Sequence, residues 1–216
     1  MSILDSAVES AWIAGKKVNM TNLEKQAASA LIISVPVLTS HLSSYYLTQK
    51  QGMLIEQRKK LVDKDAATIF RAFSGLGGER GWSPFNWLWR LRGLLDRLVG
   101  GVGMRRGRRH PDDLRQGEAL DFWRVGKVEP NYLLRLRAEM KLPGSGWLQF
   151  EAHPQENGRT ELVQTAYFAF KGLFGLLYWY GIYPLHGIIF SHMIDAIAHR
   201  AQNLSQRTIK STKEKL

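Results

Sequence analysis

LLRLRAEMKLPGSGWLQFEAHPQENGRTELVQTAYFAF, residues 133–170, decides the fold. In its first nine residues Leu134, Leu136, Ala138 and Met140 fall on one side, and Arg135, Arg137, Glu139 and Lys141 on the other. A period of two is the pattern of a half-buried antiparallel strand. GWLQFEAHP (146–154) follows the break at Pro143-Gly144, and TELVQTAYFAF (160–170) follows Asn157-Gly158, so strand-length runs alternate with turn-forming pairs as in a meander. ALDFWRVGKVEP (119–130) places a further strand in front. Behind it, Gly172 to about Gln202 reads as one long helix, with Leu173, Leu176, Leu177, Tyr180, Ile188 and Ile189 available to lie along the sheet.

Upstream, MLIEQRKKLV (53–62) is strand-length, Asp63 stands where a helix cap would, and AATIFRAFSGLGG carries Ala67, Phe70 and Phe73 to a glycine stop at Gly75. Ser83 then caps a second helix with Pro84 in its first turn. Trp87, Leu88, Leu91, Leu94, Leu95 and Leu98 form the apolar side of that helix, expected to pack on the core, until Gly100-Gly101 ends it. Strand, two helices, antiparallel strands and a long final helix make an α+β helix-grip, in which a curved antiparallel sheet wraps the C-terminal helix. Side chains do not completely fill the space between such layers, so a cavity is expected. The domain is expected over 52–202, with an N-terminal extension at 1–51 and a basic, disordered tail at 203–216.

The totals set bounds. With 216 residues, 44% apolar and 23% charged, the chain can bury one core and fits one ordinary domain with extensions. The absence of cysteine excludes a disulfide framework, a thiol nucleophile and Cys-based metal or iron–sulfur sites. A net charge of +11 favours anionic partners at encounter. MSILDSAVESAWIAGKK lacks the basic start and apolar core of a secretory signal, so a cytoplasmic location is expected. Gly172 to Ile194 contains no Asp, Glu, Lys or Arg and is long enough to span a bilayer, but Tyr178, Trp179, Tyr180, Tyr183, Pro184, His186 and His192 suit an interface or a packed core better. A membrane surface therefore stays open as a partner through residues 172–194. Gln26 to Gln49 is too short in its apolar block, and too polar, to span.

Three stretches carry a likeness: GLGGERGWSPFNWLWRLRGLLDRLVGGVGMRRGRRHPDDLRQGEALDFWRV from Gly75, then LLRLRAEMKLPGSGWLQF, then QTAYFAFKGLFGLLYWYGIYPLH. Together, over roughly residues 52–200, they resemble an uncharacterised bacterial domain of the START/Bet v 1-like (SRPBCC) superfamily. The resemblance implies an internal cavity for lipids, quinones, polyketides or similar apolar molecules. Members of the domain family often follow an NAD(P)-binding short-chain-dehydrogenase-like domain. VPVLTSHLSSYYL, residues 35–47, looks like the end of such a domain, and a separate subunit of that kind is thereby implied as a partner. No Rossmann unit precedes it, so the resemblance brings no oxidoreductase activity with it.

The remaining motifs divide between site and scaffold. The glycine runs at Gly75–Gly81 and Gly101–Arg106 place arginine where a dinucleotide fingerprint needs its third glycine, and there is no P-loop, so both read as turns. Arg105, Arg106, Arg108 and Arg109 can hold an anionic head group or pair with Asp96, Asp112 and Asp113 as a solvated loop. Nucleic acid is disfavoured as a partner, because Trp87 repeats at helical spacing with Leu91 and Leu94 rather than as a stacking platform. His192, Asp195 and His199 share a helix face but have no further ligand cluster, and an amphipathic surface is the better reading. No serine elbow or close acid pair exists. The expected site is thus an apolar hollow walled by Trp87, Trp89, Phe122, Trp123, Trp147, Phe168, Tyr178 and Trp179, with Arg90, Arg105, Arg108 and Arg109 at its cationic mouth and His186 as an internal polar group. No catalytic residue, metal or cofactor is assigned. An enzyme of cyclase or dehydratase type in the same hollow is the rival, with His186, Glu139 or Tyr180 as its ionisable groups.

Overall fold

The structure, a computed structural model, describes residues 43–50, 53–82, 85–104, 108–110 and 112–213. A hairpin of β1 (Ser43–Lys50) and β2 (Met53–Val62) leads into α1 (Ala66–Ser74), a short 3₁₀ turn at Gly78–Arg80 and α2 (Asn86–Leu98). The meander follows as β3 (Ala119–Leu120), β4 (Trp123–Glu129), β5 (Leu133–Ala138), β6 (Gly144–Pro154) and β7 (Thr160–Phe170), and α3 (Gly172–Lys213) closes the chain. All strands join one seven-stranded sheet in the order β1-β2-β7-β6-β5-β4-β3, each pair antiparallel. This is the expected helix-grip, with two pairings that the meander alone does not contain: β1 lies on β2, and β2 on β7, Leu54 opposite Phe168.

Register decides which side chains meet the helices. Leu54, Glu56, Arg58, Lys60 and Val62 of β2 share a face with Leu162, Gln164, Ala166 and Phe168 of β7 and with Leu148, Phe150 and Ala152 of β6. α1 and α3 pack on that face. Phe73 stacks on Phe150 with ring centroids 5.6 Å apart, and Ile69, Met193, Ile194 and Ile197 complete a core in which each is essentially inaccessible to water. The α1 cap is Asp65 and not Asp63: its Oδ1 accepts the Thr68 N–H at 2.8 Å, while Val62 still belongs to β2. Chain needed to leave the strand displaces the helix start by two residues.

α2 departs from the sequence reading in which way it faces. The expected Ser83 cap and Pro84 lie outside the described residues, and the helix begins at Asn86. Its buried side is Trp89, Gly93 and Asp96, whereas Trp87, Leu91, Leu94, Leu95 and Leu98 are exposed, Trp87 by 62%. The cause is Asp96. Its carboxylate accepts the backbone N–H of Gly103 (2.9 Å) and of Lys141 (2.6 Å), and Arg92 approaches it at 3.6 Å. Buried acceptors of this kind are costly to strip, so they outrank the leucines in setting the rotation of the helix. Gly101 lies so close that a Cβ there would run into the Asp96 carboxylate.

α3 also differs from expectation in two respects. It runs on to Lys213, well past Gln202, because neither Gly nor Pro occurs between Ile188 and Lys213 to stop it, and part of the expected disordered tail is helix. Leu176, Trp179, Ile189, Phe190 and Met193 face inward, but Leu173, Phe174, Leu177, Leu185 and Ile188 point to solvent instead of lying along the sheet. Pro184 sits inside the helix and cannot donate to the carbonyl one turn before it. Among the described residues one helical stretch, Gly172–Leu204, is long and apolar enough to cross a membrane by length and composition, and only 28% of its most apolar window is buried. At the other end, residues 35–42 of the suspected domain remnant lie outside the described residues. Residues 43–47 belong to β1, so the sheet begins before residue 52.

Candidate functional site

A hollow of about 210 Å³ opens between the inner face of the sheet, α2 and the first half of α3. Two aromatic groups flank it. On one side Trp82, Trp89, Phe122 and Trp123 interlock with ring centroids 5.6–6.3 Å apart, tied down by Asp121, which accepts Trp82 Nε1–H at 2.7 Å and the Gly78 N–H at 2.9 Å. On the other, Phe168 stacks on Trp179 at 5.4 Å, Trp179 meets His186 edge-on at 5.3 Å, and His186 lies 4.8 Å from Phe190. Ala138, Leu148 and Ala166 form the floor; Ala166 is small enough to leave room above the sheet.

The lining is almost entirely apolar. Trp89, Trp123, Trp147 and Trp179 each border the hollow, and each has a buried indole N–H with no hydrogen-bond partner in the protein. Each of those nitrogens has essentially no accessible surface, so none of them opens into the hollow. His186 reaches the wall with an unpartnered Nδ1 that stands 3.8 Å from Glu56 Oε2. Glu56 is fully buried, and Arg58 Nη2 is 2.7 Å from its Oε1. Arg58 continues to α3, donating to Ser191 Oγ (3.2 Å) and the Gly187 carbonyl (3.3 Å). A buried ion pair thus sits directly behind the histidine.

The predicted site residues separate into three groups. Trp89, Trp123, Trp147, Phe168, Tyr178, Trp179 and His186 border the hollow, although Trp147 belongs by register to the far face of β6 and packs there with Met53 and Ala169. Phe122 is buried one layer behind, against Trp82 and Trp89, and Trp87 is turned to solvent; neither lines the space. Among the arginines, Arg105 lies outside the described residues, and Arg90 is exposed and away from the hollow, where Arg92 takes its place on the rim. Arg108 and Arg109 are structural. Arg108 Nη1 donates to the Ser74 and Leu76 carbonyls, and burial, then the charges of Arg80 and Arg200, lower its affinity for a proton. Arg109 is held by Asp113 and Glu118 at the surface; these partners raise its pKa, and it lowers theirs. Of the described arginines expected at a cationic mouth, Arg108 is thus held by backbone carbonyls and Arg109 by carboxylates.

The other candidate chemistry is similarly placed. Glu139 is engaged by Arg124 at 2.7 Å and does not border the hollow. Burial, with Tyr183 nearby, pushes the Tyr180 phenol up, and Tyr180 too lies off the wall. Asp195 pairs with Lys60, and His192 Nδ1 donates to the Ile188 carbonyl at 2.8 Å, so that helix face is occupied by internal contacts. Sequence reasoning missed Glu56, Arg58, Arg92, Met140 and Phe190. Glu56 and Arg58 are two opposite charges one strand-repeat apart in a strand-length run, a pattern that a solvated face shows equally.

A protein-family model described as Protein of unknown function (DUF2867) matches residues 52–193. No curated protein matches the sequence. Among solved structures, CalU16 from Micromonospora echinospora is similar at 11% identity and TM-score 0.39, covering 77% of this chain and 98% of its own. Norcoclaurine synthase from Thalictrum flavum is similar at 13% identity and TM-score 0.43, covering 75% and 98%. The Zhui aromatase/cyclase from a Streptomyces species is similar at 11% and 0.38, covering 69% and 94%. At these scores the likeness is loose.

Proposed function

The chain belongs to the DUF2867 family, and on that footing we propose that it binds a mid-sized apolar molecule of lipid, quinone or polyketide-like character in the hollow between sheet, α2 and α3. The observation that carries this is the almost wholly apolar space itself, walled by Trp89, Trp123, Phe168 and Trp179. Such a lining suits a ligand that is greasy over most of its surface. The volume of about 210 Å³ exceeds the roughly 150 Å³ known to hold benzene and falls short of the roughly 300 Å³ where drug-sized pockets begin. One or two rings, or the end of a longer chain, fit inside; the remainder of a larger molecule would leave through the gap between α2 and α3.

The test uses 1,4-naphthoquinone and decanoate as probes, read by quenching or shift of tryptophan fluorescence and by native mass spectrometry. Ala166→Trp fills the hollow and is expected to weaken binding by about tenfold or more; Ala138→Leu is the second variant should the first not fold. Binding that survives in a folded filled variant, or no binding of either probe to the parent protein, removes the proposal. A second reading has one observation in its favour: His186 lines the wall with Glu56 behind it, an arrangement able to take and return a proton in a cyclisation or dehydration. His186→Gln should then abolish turnover of a bound carbonyl compound while leaving its binding intact, and unchanged turnover eliminates this reading.

A further inference from the structure

We propose that the outer faces of α2 and of the first half of α3 form one docking surface for an anionic lipid bilayer, with the hollow opening into it. On α2, Trp87, Leu91, Leu94 and Leu98 recur at spacings of three and four and are all exposed, Leu98 by 75%. On α3, Leu173, Phe174, Leu177, Leu185 and Ile188 are exposed along one side, Phe174 by 73%. Both stripes reach the rim of the hollow, where half-exposed Leu91, Leu95 and Leu185 stand on either side of the opening. Contiguous apolar surface of this kind is rare on proteins that meet only water.

The orientation is built in and not the result of a loosely held helix. Asp96 grips the backbone at Gly103 and Lys141, and Arg92 donates to the Lys141 carbonyl at 2.9 Å, so turning the leucines inward would strip buried acceptors. On α3 the inward side is equally committed, because Arg58 of the sheet bonds Gly187 and Ser191 of the helix. For α3 to span a bilayer it would have to abandon those bonds and uncover the Glu56–Arg58 pair; lying in the interface keeps both.

Charge selects the occupant. Arg90 and Arg97 are exposed beside the α2 stripe, and the chain as a whole carries +11. Leucines and tryptophan flanked by arginine, with no acidic residue exposed on the helix, is the pattern of a helix lying in an anionic interface. The outer face of α3 turns polar at His192, Asp195 and His199, which marks where the contact ends. Docked in this way, the opening of the hollow faces acyl chains, so an apolar ligand can pass without crossing water. That route rests on the ligand-binding reading above, whereas the docking itself does not.

Co-sedimentation with vesicles of phosphatidylcholine alone or mixed with phosphatidylglycerol tests the surface, on the full chain without added ligand. Binding to the anionic vesicles is expected, reduced by raising salt and by about fivefold for each of Arg90→Gln and Arg97→Gln. Leu94→Glu with Leu98→Glu, and separately Phe174→Glu, should each reduce it by about tenfold or more; circular dichroism confirms the fold of each variant, and all sites are already in solvent. Trp87, the most exposed of the described tryptophans, should shift to the blue on vesicle addition, a change missing in Trp87→Phe. The hollow-filling Ala166→Trp should still sediment, which separates failure of docking from failure of ligand binding. No sedimentation with either vesicle, or sedimentation unchanged by the glutamates, overturns the proposal. So does a dimer in analytical ultracentrifugation that Leu94→Glu with Leu98→Glu dissociates, since a second copy would then own the surface.

Discussion

Removing Glu56 alone should hurt the protein more than removing Glu56 and Arg58 together. Glu56 is fully buried and Arg58 is 4% exposed, with Nη2 and Oε1 2.7 Å apart. Glu56→Leu leaves a guanidinium in a dry site, and losing one partner of a buried pair costs about 3–5 kcal/mol. Ser191 Oγ and the Gly187 carbonyl remain as acceptors for Arg58, so the cost should lie near the lower end, about 3 kcal/mol. Adding Arg58→Met removes the second charge as well, and apolar replacements of whole buried pairs are commonly neutral or stabilising, so the double variant should return to within about 1 kcal/mol of the parent. Urea unfolding measures both, and a scan should show the single variant melting about 6–12 °C lower, at the roughly 2–4 °C per kcal/mol usual for a chain of this size. A single variant as stable as the double, or a double that loses the sum of two independent penalties, would refute the reasoning that desolvated charge is what the pair controls.

Two other outcomes follow from particular contacts. Burial pushes the Asp65 carboxyl up, but the Thr68 backbone and hydroxyl bonds outweigh it and hold the group below its ordinary 3.8. A depressed folded pKa means that the cap stabilises fully above the ordinary carboxylate range and that this is lost as pH falls through the folded value. Asp65→Ala should therefore cost about 1 kcal/mol near neutrality, and its deficit in urea midpoint should shrink below about pH 4; a constant deficit contradicts the cap. Asp96→Ala leaves the Gly103 and Lys141 N–H groups without their acceptor and should cost about 2–5 kcal/mol, with Asp96→Asn losing less; an Asp96→Ala protein with unchanged stability means the carboxylate does not set the rotation of α2.

The legible parts of the fold were those in which a local pattern and the tertiary answer coincide. The meander from Ala119 to Phe170 and the long helix after it followed from periods of two and 3.6 and from Gly and Pro breaks, and they brought Trp123, Phe168, Trp179 and His186 to one hollow. The rotation of α2 was not legible, because its amphipathic pattern has two faces and only the remote Gly103 and Lys141 donors make the Asp96 side the inner one. Nor were Glu56 and Arg58: charge at buried positions of β2 contradicts the usual pattern and makes sense only once α3 supplies Ser191 and Gly187. The arginine loop misled for a related reason. Counting Arg108 and Arg109 as a cation cluster omits the carbonyls and carboxylates that the fold delivers to them.

That β2 hydrogen-bonds to β7 and not to any strand between them has a consequence for biosynthesis. When β2 leaves the ribosome its central partner does not yet exist, and the helix that receives Arg58 is made later still. Until then Glu56 and Arg58 stay hydrated, and the nascent segment gains nothing by collapsing early around them. Closure of this long-range pairing waits on nearly the whole domain, as in other topologies dominated by distant contacts. Dehydrating the two charges is therefore among the last events of folding, and a chain arrested before α3 is complete holds a sheet whose interior is still wet.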